Sequence, residues 1–235
     1  MKVLANESDS DGSNAGTIVP LYTVPTDRSW RAVVGAKAKY PGVPVVAIVN
    51  PASGPGSARS LAYASGITRL KAGGITVIGY VATDYARKSS DSVQAAVDLY
   101  HSWYPNLDGI FFDEMSDSPS TVSYYAALTQ YVKALGMTVT VGNPGTEVPP
   151  SLVGTVDVVL VYEDSGLPPL DTIEQWQSCR TSVGIIPYAV PSLDAGWIGQ
   201  AKQHVRWIYV TNDALPNPWN SLPGYFEALL DALSG

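Results

Sequence analysis

Short apolar runs recur along the chain at fairly even intervals. Most are almost continuously hydrophobic rather than alternating, which is typical of parallel strands covered on both faces. Longer segments of mixed polarity separate them. The sequence therefore predicts eight buried strands, at Thr17–Leu21, Val45–Val49, Ile75–Val81, Gly109–Phe112, Met137–Val141, Val156–Tyr162, Val183–Tyr188 and Val205–Val210.

The segments between the runs have the length and periodicity of helices. From Pro119 to Leu135, apolar residues recur every three or four positions. Pro119 suits a first helical position, and Gly136 suits the position that follows a helix. From Ser90 to Tyr104 the same spacing recurs, with Ser90 as the expected N-cap. We therefore predict eight helices that alternate with the eight strands.

This alternation predicts an α/β fold, a single (β/α)8 TIM-type barrel. Residues 17–235 supply about 27 residues per unit, close to the roughly 30 of a strand, loop and helix. An open, doubly wound sheet is the alternative. It usually carries a glycine-rich phosphate turn after its first strand, and Tyr22 to Pro25 contains none. No linker rich in proline and glycine divides the segment, so we predict one catalytic domain over 17–235.

The first sixteen residues differ from the rest of the chain. They are rich in acidic and small polar residues, with almost nothing to pack, and we predict a disordered leader over residues 1–16. They do not have the features of a signal peptide, because Lys2 is the one basic residue and Val3 to Ala5 is too short for an apolar region.

Composition narrows the classes of function. Twenty-one acidic against fourteen basic residues give a formal net charge of −7, which disfavours nucleic acid and anionic lipid and favours a cationic partner. No apolar run approaches the roughly 18 to 20 residues of a membrane helix. One cysteine and two histidines form no clustered ligand set for zinc or iron. We therefore expect no metal or other cofactor. We also expect a monomer.

Carboxylates follow the predicted strands where barrel enzymes place their chemistry. Asp113 and Glu114 come directly after the fourth run, and Glu163 follows the sixth. Carboxylates aimed at one another across a barrel mouth match the acid and nucleophile, or the acid and base, of a glycosidase. The alternative is that all three are solvated carboxylates that cap the following helices.

Strand geometry limits how these carboxylates can cooperate. Successive residues of a regular strand point to opposite faces, so Asp113 and Glu114 cannot both face inward. The fourth and sixth strands lie roughly 9 to 10 Å apart, a gap that inward-leaning side chains reduce. Retaining glycosidases separate their carboxyl groups by about 5 to 5.5 Å, and inverting ones by about 6.5 to 9.5 Å. We predict retention, with Asp113 as nucleophile and Glu163 as general acid/base; swapped roles remain open.

Other polar and aromatic residues accompany the carboxylates at the predicted strand ends. Fourteen Tyr and six Trp outnumber three Phe, a bias typical of clefts that stack on sugars and hydrogen-bond them. Arg87 is basic and can instead orient a carboxylate. Asp108 and Asp157, at strand beginnings, are predicted to be structural. The predicted substrate-binding residues are Tyr22, Asn50, Thr83, Tyr85, Arg87, Asn143, Tyr162, Asp164, Asp213 and Trp219.

Six groups of residues resemble one known family. They are Val19–Tyr22, Ile48–Pro51 with Ser53–Gly56, Ile78–Thr83 with Tyr85 and Arg87, Gly109–Glu114, Asn143–Thr146 and Asn217–Trp219. Together they are similar to the spherulation-specific family 4 proteins. The resemblance implies a (β/α)8 glycoside hydrolase whose catalytic carboxylates correspond to Asp113, Glu114 and Glu163. Because Asp164 directly follows Glu163, either of these two carboxylates can hold the family position.

The resemblance also implies a substrate class. Fungal members cleave internal α-1,4 linkages between N-acetylgalactosamine units of galactosaminogalactan, and they imply an extracellular, secreted protein. Partly deacetylated polymers of this kind are cationic, which suits an acidic rim. A different class of function remains: a catalytically silent carbohydrate-binding or structural coat protein on the same barrel, because fold does not settle function.

Overall fold

The computed structural model describes residues 14–235. Within them, eight strands form one parallel sheet in sequence order. The strands are β1 (Thr17–Leu21), β2 (Val45–Val49), β3 (Thr76–Ala82), β4 (Gly109–Asp113), β5 (Val139–Gly142), β6 (Val158–Tyr162), β7 (Val183–Ile185) and β8 (Trp207–Ile208). The α-helices of the described residues are α1 (Arg28–Lys39), α2 (Leu61–Ala72), α3 (Ser90–Trp103), α4 (Val122–Ala134), α5 (Leu170–Glu174), α6 (Ala195–Ala201) and α7 (Phe226–Ser234).

The last strand returns to the first at Gly16. Its N–H donates to the Arg206 carbonyl over 2.9 Å, and its carbonyl accepts from the Ile208 N–H at 2.9 Å. A Cβ on Gly16 would lie 2.7 Å from the Pro44 carbonyl oxygen, so only glycine allows this approach. The sheet therefore meets itself as a barrel, and the predicted (β/α)8 fold is confirmed.

The barrel begins earlier than the sequence predicts. Ala15 is buried and Gly16 pairs with Trp207, so the assignment of these two residues to a leader is wrong. The physical reason is that β8 needs a hydrogen-bonding partner at this level of the barrel. Asn14 is exposed, and residues 1–13 of the predicted leader lie outside the described residues.

One predicted helix is replaced by a short turn. Between β5 and β6 the chain forms a single 3₁₀ turn at Pro150–Leu152 instead of an α-helix. Pro144, Pro149 and Pro150 lie in this connection, and each lacks the N–H that a continuing helix would use. The prediction of a helix in every connection is therefore wrong at this position.

The ends of the predicted elements shift by a few residues. The N-cap of α3 is Ser89 rather than Ser90, and its side chain accepts from the Ser92 N–H at 3.3 Å. Pro119 begins a 3₁₀ turn that leads into α4, and Gly136 after that helix has a φ of 87°. A serine before α3, a proline before α4 and a glycine after α4 therefore mark the ends of these helices, although the N-cap of α3 lies one residue earlier than the sequence predicts.

Both faces of the sheet are covered. All five residues of β1 and all five of β2 are buried. On β3, Gly79 lies against the ring of Tyr100 from α3, where an added Cβ would approach the ring to 2.9 Å. The small residue on the strand therefore admits the large one on the helix. No helix of the described residues is long and apolar enough to cross a membrane.

Two acidic residues stabilise the opposite end of the barrel from the predicted site. Asp108, just before β4, pairs with Lys71 and accepts from the Val77 N–H at 2.7 Å. Asp157, just before β6, pairs with Lys133 at 2.6 Å and accepts a further hydrogen bond from β5. Each carboxylate joins neighbouring elements where a strand begins, which confirms the structural role predicted for both residues.

Candidate active site

Two carboxylates meet at the C-terminal mouth of the barrel through one amide group. Asp113 ends β4, Glu163 follows β6, and Asn143 follows β5 between them. The Asn143 Nδ2 donates to Asp113 Oδ1 over 2.9 Å and to Glu163 Oε2 over 2.6 Å. These two distances limit the separation of the two acceptor oxygens to about 5.5 Å. The adjacent strand therefore supplies the group that joins the two predicted catalytic residues.

The backbone holds Asn143 in place. Its N–H donates to the Phe112 carbonyl and its carbonyl accepts from the Met115 N–H, both over 2.9 Å. The side chain is buried, and turning the amide over would direct its oxygen at two carboxylates. In the structure the Asn143 amide contacts both carboxylates; its predicted contact with substrate stays a prediction.

Burial raises the pKa of Glu163 from 4.5 to about 7. The negative charge of Asp113 adds to this effect, whereas hydrogen bonds from Asn143 and Trp219 oppose it by favouring the charged form. The Glu163 N–H donates to the Gly145 carbonyl at 3.1 Å, which holds the residue against the β5 loop. Glu163 can therefore carry a proton near neutral pH.

The chain leaves the regular strand conformation directly after Asp113. Glu114 has a φ of 50°, and its carbonyl accepts from the Tyr85 N–H at 2.7 Å. The alternation expected of a regular strand therefore does not extend to Glu114. The Thr83 hydroxyl lies 3.0 Å from the Asp113 carbonyl and 2.8 Å from that of Glu114. Thr83 is fully buried, and its hydroxyl stabilises this turn; its predicted contact with substrate stays a prediction.

Two tyrosines lie against the carboxylates from inside the barrel. Tyr22, a predicted site residue, packs edge-on against Tyr80 with ring centres 5.7 Å apart. Burial, followed by the negative charge of Asp113, raises the pKa of both hydroxyls well above its ordinary value. Tyr80 also hydrogen-bonds Asp113 and lies close enough to sense the charges of Glu114 and Glu163. Both hydroxyls therefore remain protonated donors.

Sequence reasoning did not select Tyr80. It pairs with Phe111 across β3 and β4, two residues before the partner of Asp113. Because side chains alternate along a strand, Tyr80 and Asp113 lie on the same face of the sheet. Tyr80 could have been identified by pairing Asp113 with Ala82 on β3 and then counting two residues back along β3.

Three of the predicted substrate-binding residues make hydrogen bonds within their own loops. Asn50 accepts from the Gly54 N–H at 2.9 Å after β2. The Tyr162 hydroxyl donates to the Gly166 carbonyl at 3.0 Å after β6. Asp213 accepts from the Ser221 hydroxyl at 2.6 Å after β8. These side chains shape the rim of the barrel by ordering its loops.

The side of the mouth around β6 and β8 is partly aromatic. Trp219 is half-buried, packs edge-on to Tyr188 with ring centres 6.4 Å apart, and acts on Glu163 through a side-chain hydrogen bond. Asp164 is exposed, and its Oδ1 accepts from the Ser165 N–H at 2.6 Å. Of the two neighbouring carboxylates, Glu163 is therefore the one joined to Asp113 through Asn143.

The β3 loop forms another side of the mouth. Arg87 pairs with Asp84 and stacks on the ring of Tyr85, with its guanidinium carbon 5.5 Å from the ring centre. The Arg87 hydrogen bond lowers the pKa of the Asp84 carboxyl. Arg87 thus does orient a carboxylate, and that carboxylate is its neighbour in the loop.

The candidate site is built from carboxylates and their donors. Among the residues from Asn14 onward, no group of three or more His, Cys, Asp or Glu side chains is arranged to hold a metal ion. The arrangement can supply one carboxyl group that carries a proton, a second carboxylate within reach, and hydroxyl and amide donors that stabilise negative charge.

Comparisons with known proteins agree with this architecture. A solved structure of Aspergillus clavatus Sph3 in complex with GalNAc superposes with a TM-score of 0.81 at 24% identity, over 95% of this chain and 99% of that one. A chitinase from Rhizomucor miehei superposes with a TM-score of 0.55 at 13% identity, over 93% of this chain and 98% of that one. At these identities the likeness concerns the fold.

Sequence comparison is more specific. Spherulin-4 of Physarum polycephalum is 35% identical over 167 residues, which are 70% of this chain and 49% of that protein. The matched part therefore spans about half the length of this relative. Residues 16–233 match the family described as spherulation-specific family 4. The match covers the entire barrel, including both carboxylates and the asparagine between them, and the chain belongs to the spherulation-specific family 4.

Proposed function

We propose that the protein is a retaining glycoside hydrolase that cleaves internal α-1,4 linkages in a galactosamine-containing polysaccharide. One observation carries the proposal: a single buried amide joins Asp113 to Glu163 and limits two of their oxygens to a separation of about 5.5 Å. This spacing supports retention, for which carboxyl groups lie about 5 to 5.5 Å apart. The raised pKa of Glu163, about 7, also supports its role as the proton donor and leaves the role of nucleophile to Asp113.

In the first step, Asp113 attacks the anomeric carbon of the sugar. Glu163 gives its proton to the glycosidic oxygen, the bond between that oxygen and the anomeric carbon breaks, and a glycosyl ester with Asp113 forms. Glu163 then carries a negative charge inside the barrel mouth. The Asn143 amide and the Trp219 indole favour that charged form.

In the second step, Glu163 acts as a base. It takes a proton from a water molecule, whose oxygen bonds to the anomeric carbon and releases Asp113. The original protonation state of both residues is then restored. Tyr80 donates to Asp113 and stabilises its charge when it leaves. Glu114, at the same strand end, is proposed to bind substrate hydroxyl groups beside the reacting carbon.

The substrate class is supported by family membership and by charge. The Sph3 structure with a TM-score of 0.81 contains GalNAc, which supports a ligand built from N-acetylgalactosamine. The formal net charge of −7 also favours partly deacetylated, cationic segments of such a polymer. Because a polysaccharide of this kind lies outside cells, we propose an extracellular site of action.

The direct experiment is release of oligosaccharides from α-1,4-linked galactosaminoglycan, with an unrelated glucan as control substrate. We expect products from the wild type and a loss of several orders of magnitude in Asp113→Asn, with folding retained. Asp171→Asn, an exposed carboxylate on α5, is the matched control and should keep full activity. Full activity of Asp113→Asn would contradict the assignment. Binding without release would favour the silent carbohydrate-binding protein.

Stereochemistry tests the mechanism separately. Proton NMR should detect the α anomer as the first product of an α-linked substrate, because two inversions at the same carbon restore the configuration. A β anomer formed first would show inversion and remove Asp113 as nucleophile.

Salt dependence tests recruitment by charge. Affinity for deacetylated oligomers should fall as the Debye length shrinks from about 10 Å to about 3 Å, and fully acetylated oligomers should respond little. Equal salt responses for the two ligands would contradict electrostatic recruitment.

A further inference from the structure

The loop after β3 presents an aromatic ring to solvent at the mouth of the barrel. Tyr85 is 53% exposed, whereas Tyr22 and Tyr80 at the same end of the barrel are half-buried and buried. Its N–H donates to the Glu114 carbonyl over 2.7 Å, so the residue is tied to the end of β4. The Tyr85 backbone therefore lies next to the end of β4, and the ring is exposed rather than part of the buried centre of the site.

The backbone holds Tyr85 in a costly conformation. Asp84, Tyr85 and Ala86 have φ values of 51°, 55° and 64°, three successive residues in the left-handed region. Such residues are unfavourable without glycine, and runs of them are rare. The Arg87 N–H to Asp84 carbonyl bond at 2.9 Å and the Tyr85 N–H to Glu114 bond hold the loop in this form. Strain of this kind persists only where surrounding bonds maintain it.

One face of the Tyr85 ring is already occupied. The Arg87 guanidinium lies over it, with its carbon 5.5 Å from the ring centre, and the ion pair with Asp84 fixes the guanidinium. The exposure of the side chain leaves the other face open to a ligand. A flat, rigid ring with one supported face and one free face can stack against the C–H face of a pyranose.

We propose that Tyr85 forms a second sugar subsite, which stacks a pyranose ring of the same polysaccharide next to the ring that is cleaved. This inference rests on the proposed function, because it requires a chain of sugars to cross the barrel mouth. It adds a place on the β3 loop for the sugar next to the cleaved one, and it makes Arg87 and Asp84 the residues that position the aromatic ring. The subsite accounts for a strained loop at this point of the rim.

The test measures affinity against chain length by calorimetry in a Glu163→Gln background, which prevents turnover. The probes are free N-acetylgalactosamine and α-1,4-linked oligomers of two to six units. Tyr85→Ala should weaken binding of the longer oligomers about tenfold, or about 1.4 kcal/mol, and leave the monosaccharide unchanged. Tyr85→Phe should restore binding because it retains the ring. Leu99→Ala, which truncates an exposed side chain on α3, is the matched control.

The outcomes separate this inference from the proposed function. Unchanged oligomer binding in Tyr85→Ala, an equal loss for monosaccharide and oligomers, or no binding of any probe would overturn the subsite. Wild-type protein that binds oligomers with the expected dependence on Tyr85 but releases no product would retain the subsite and refute the hydrolase.

Discussion

Replacing Glu163 by Gln removes a titrating group from the barrel mouth and leaves a side chain of nearly the same size. Gln retains an oxygen that can accept from Asn143, so the bridge across the mouth can survive. In the wild type, burial raises the pKa of Glu163 from 4.5 to about 7. Since one pKa unit corresponds to about 1.4 kcal/mol, this increase corresponds to about 3 kcal/mol.

The direction in which the free energy of unfolding changes with pH depends on whether the folded or the unfolded protein binds more protons. Between pH 4.5 and about 7 the folded protein keeps the Glu163 proton, whereas the unfolded chain loses it. The wild-type free energy of unfolding therefore receives a contribution that falls as pH rises through this window and is constant above it. Gln does not titrate. We compare the free energy of unfolding of Glu163→Gln with that of the wild type. Allowing for solvent screening at a partly exposed group, we expect this difference to increase by about 1 to 3 kcal/mol in favour of the variant as the pH is raised from 5 to 8.

The assay is urea unfolding of both proteins at pH 5, 6, 7 and 8, analysed by linear extrapolation. Titration of the other carboxylates is common to both proteins and cancels in the difference to first order. Glu174→Gln replaces an exposed carboxylate on α5 and should show no such trend. A Glu163→Gln difference that stays constant or falls with pH would refute the raised pKa. The same variant should lose hydrolysis, and wild-type turnover should decline above a pH of about 7 as Glu163 loses its proton.

Three further variants test the surroundings of the site. Tyr80→Phe should lower turnover about 10- to 100-fold with little change in KM, because a hydrogen bond to a charged group contributes about 1.5 to 3 kcal/mol; unchanged turnover in steady-state kinetics would exclude Tyr80 from the mechanism. Asn143→Leu should raise the pKa of Glu163 further and move the alkaline limb of the pH–rate profile to higher pH, since Asn143 favours the charged form; an unmoved limb would contradict the bridge. Gly79→Ala should lower the free energy of unfolding by about 1 to 3 kcal/mol, because the new methyl meets the Tyr100 ring at 2.9 Å. Gly199→Ala on α6, with nothing within 4 Å, is the control; it should leave the free energy of unfolding unchanged or raise it by up to about 1 kcal/mol, because alanine is favoured over glycine inside a helix.

Local sequence patterns determine much of the barrel. Continuous apolar runs such as Val45–Val49 can satisfy both faces only in a covered parallel sheet, so they identify the strands directly. Pro119 and Gly136 limit a helical segment because one lacks an N–H and the other tolerates positive φ. The same local reasoning failed between β5 and β6, where a connection that contains three prolines forms a single 3₁₀ turn instead of a helix. It also placed the start of the barrel after Gly16, because the pairing of Gly16 with Trp207 joins residues at opposite ends of the sequence.

The candidate site could also be predicted from the sequence only in part. Position at a strand end is a local property, and it identified Asp113 and Glu163 as a pair to be tested together. Only the tertiary structure decided what surrounds them, since burial and hydrogen bonding depend on residues brought together by the barrel. The structure shows that Asn143 joins the two carboxylates and that Thr83 is buried against the carbonyls of Asp113 and Glu114. It also places Tyr80, which the sequence analysis does not select, beside Asp113. The sequence determines which side chains lie at the end of each strand. The closed barrel determines which of these side chains meet, because each contact in the site joins residues from two different strands.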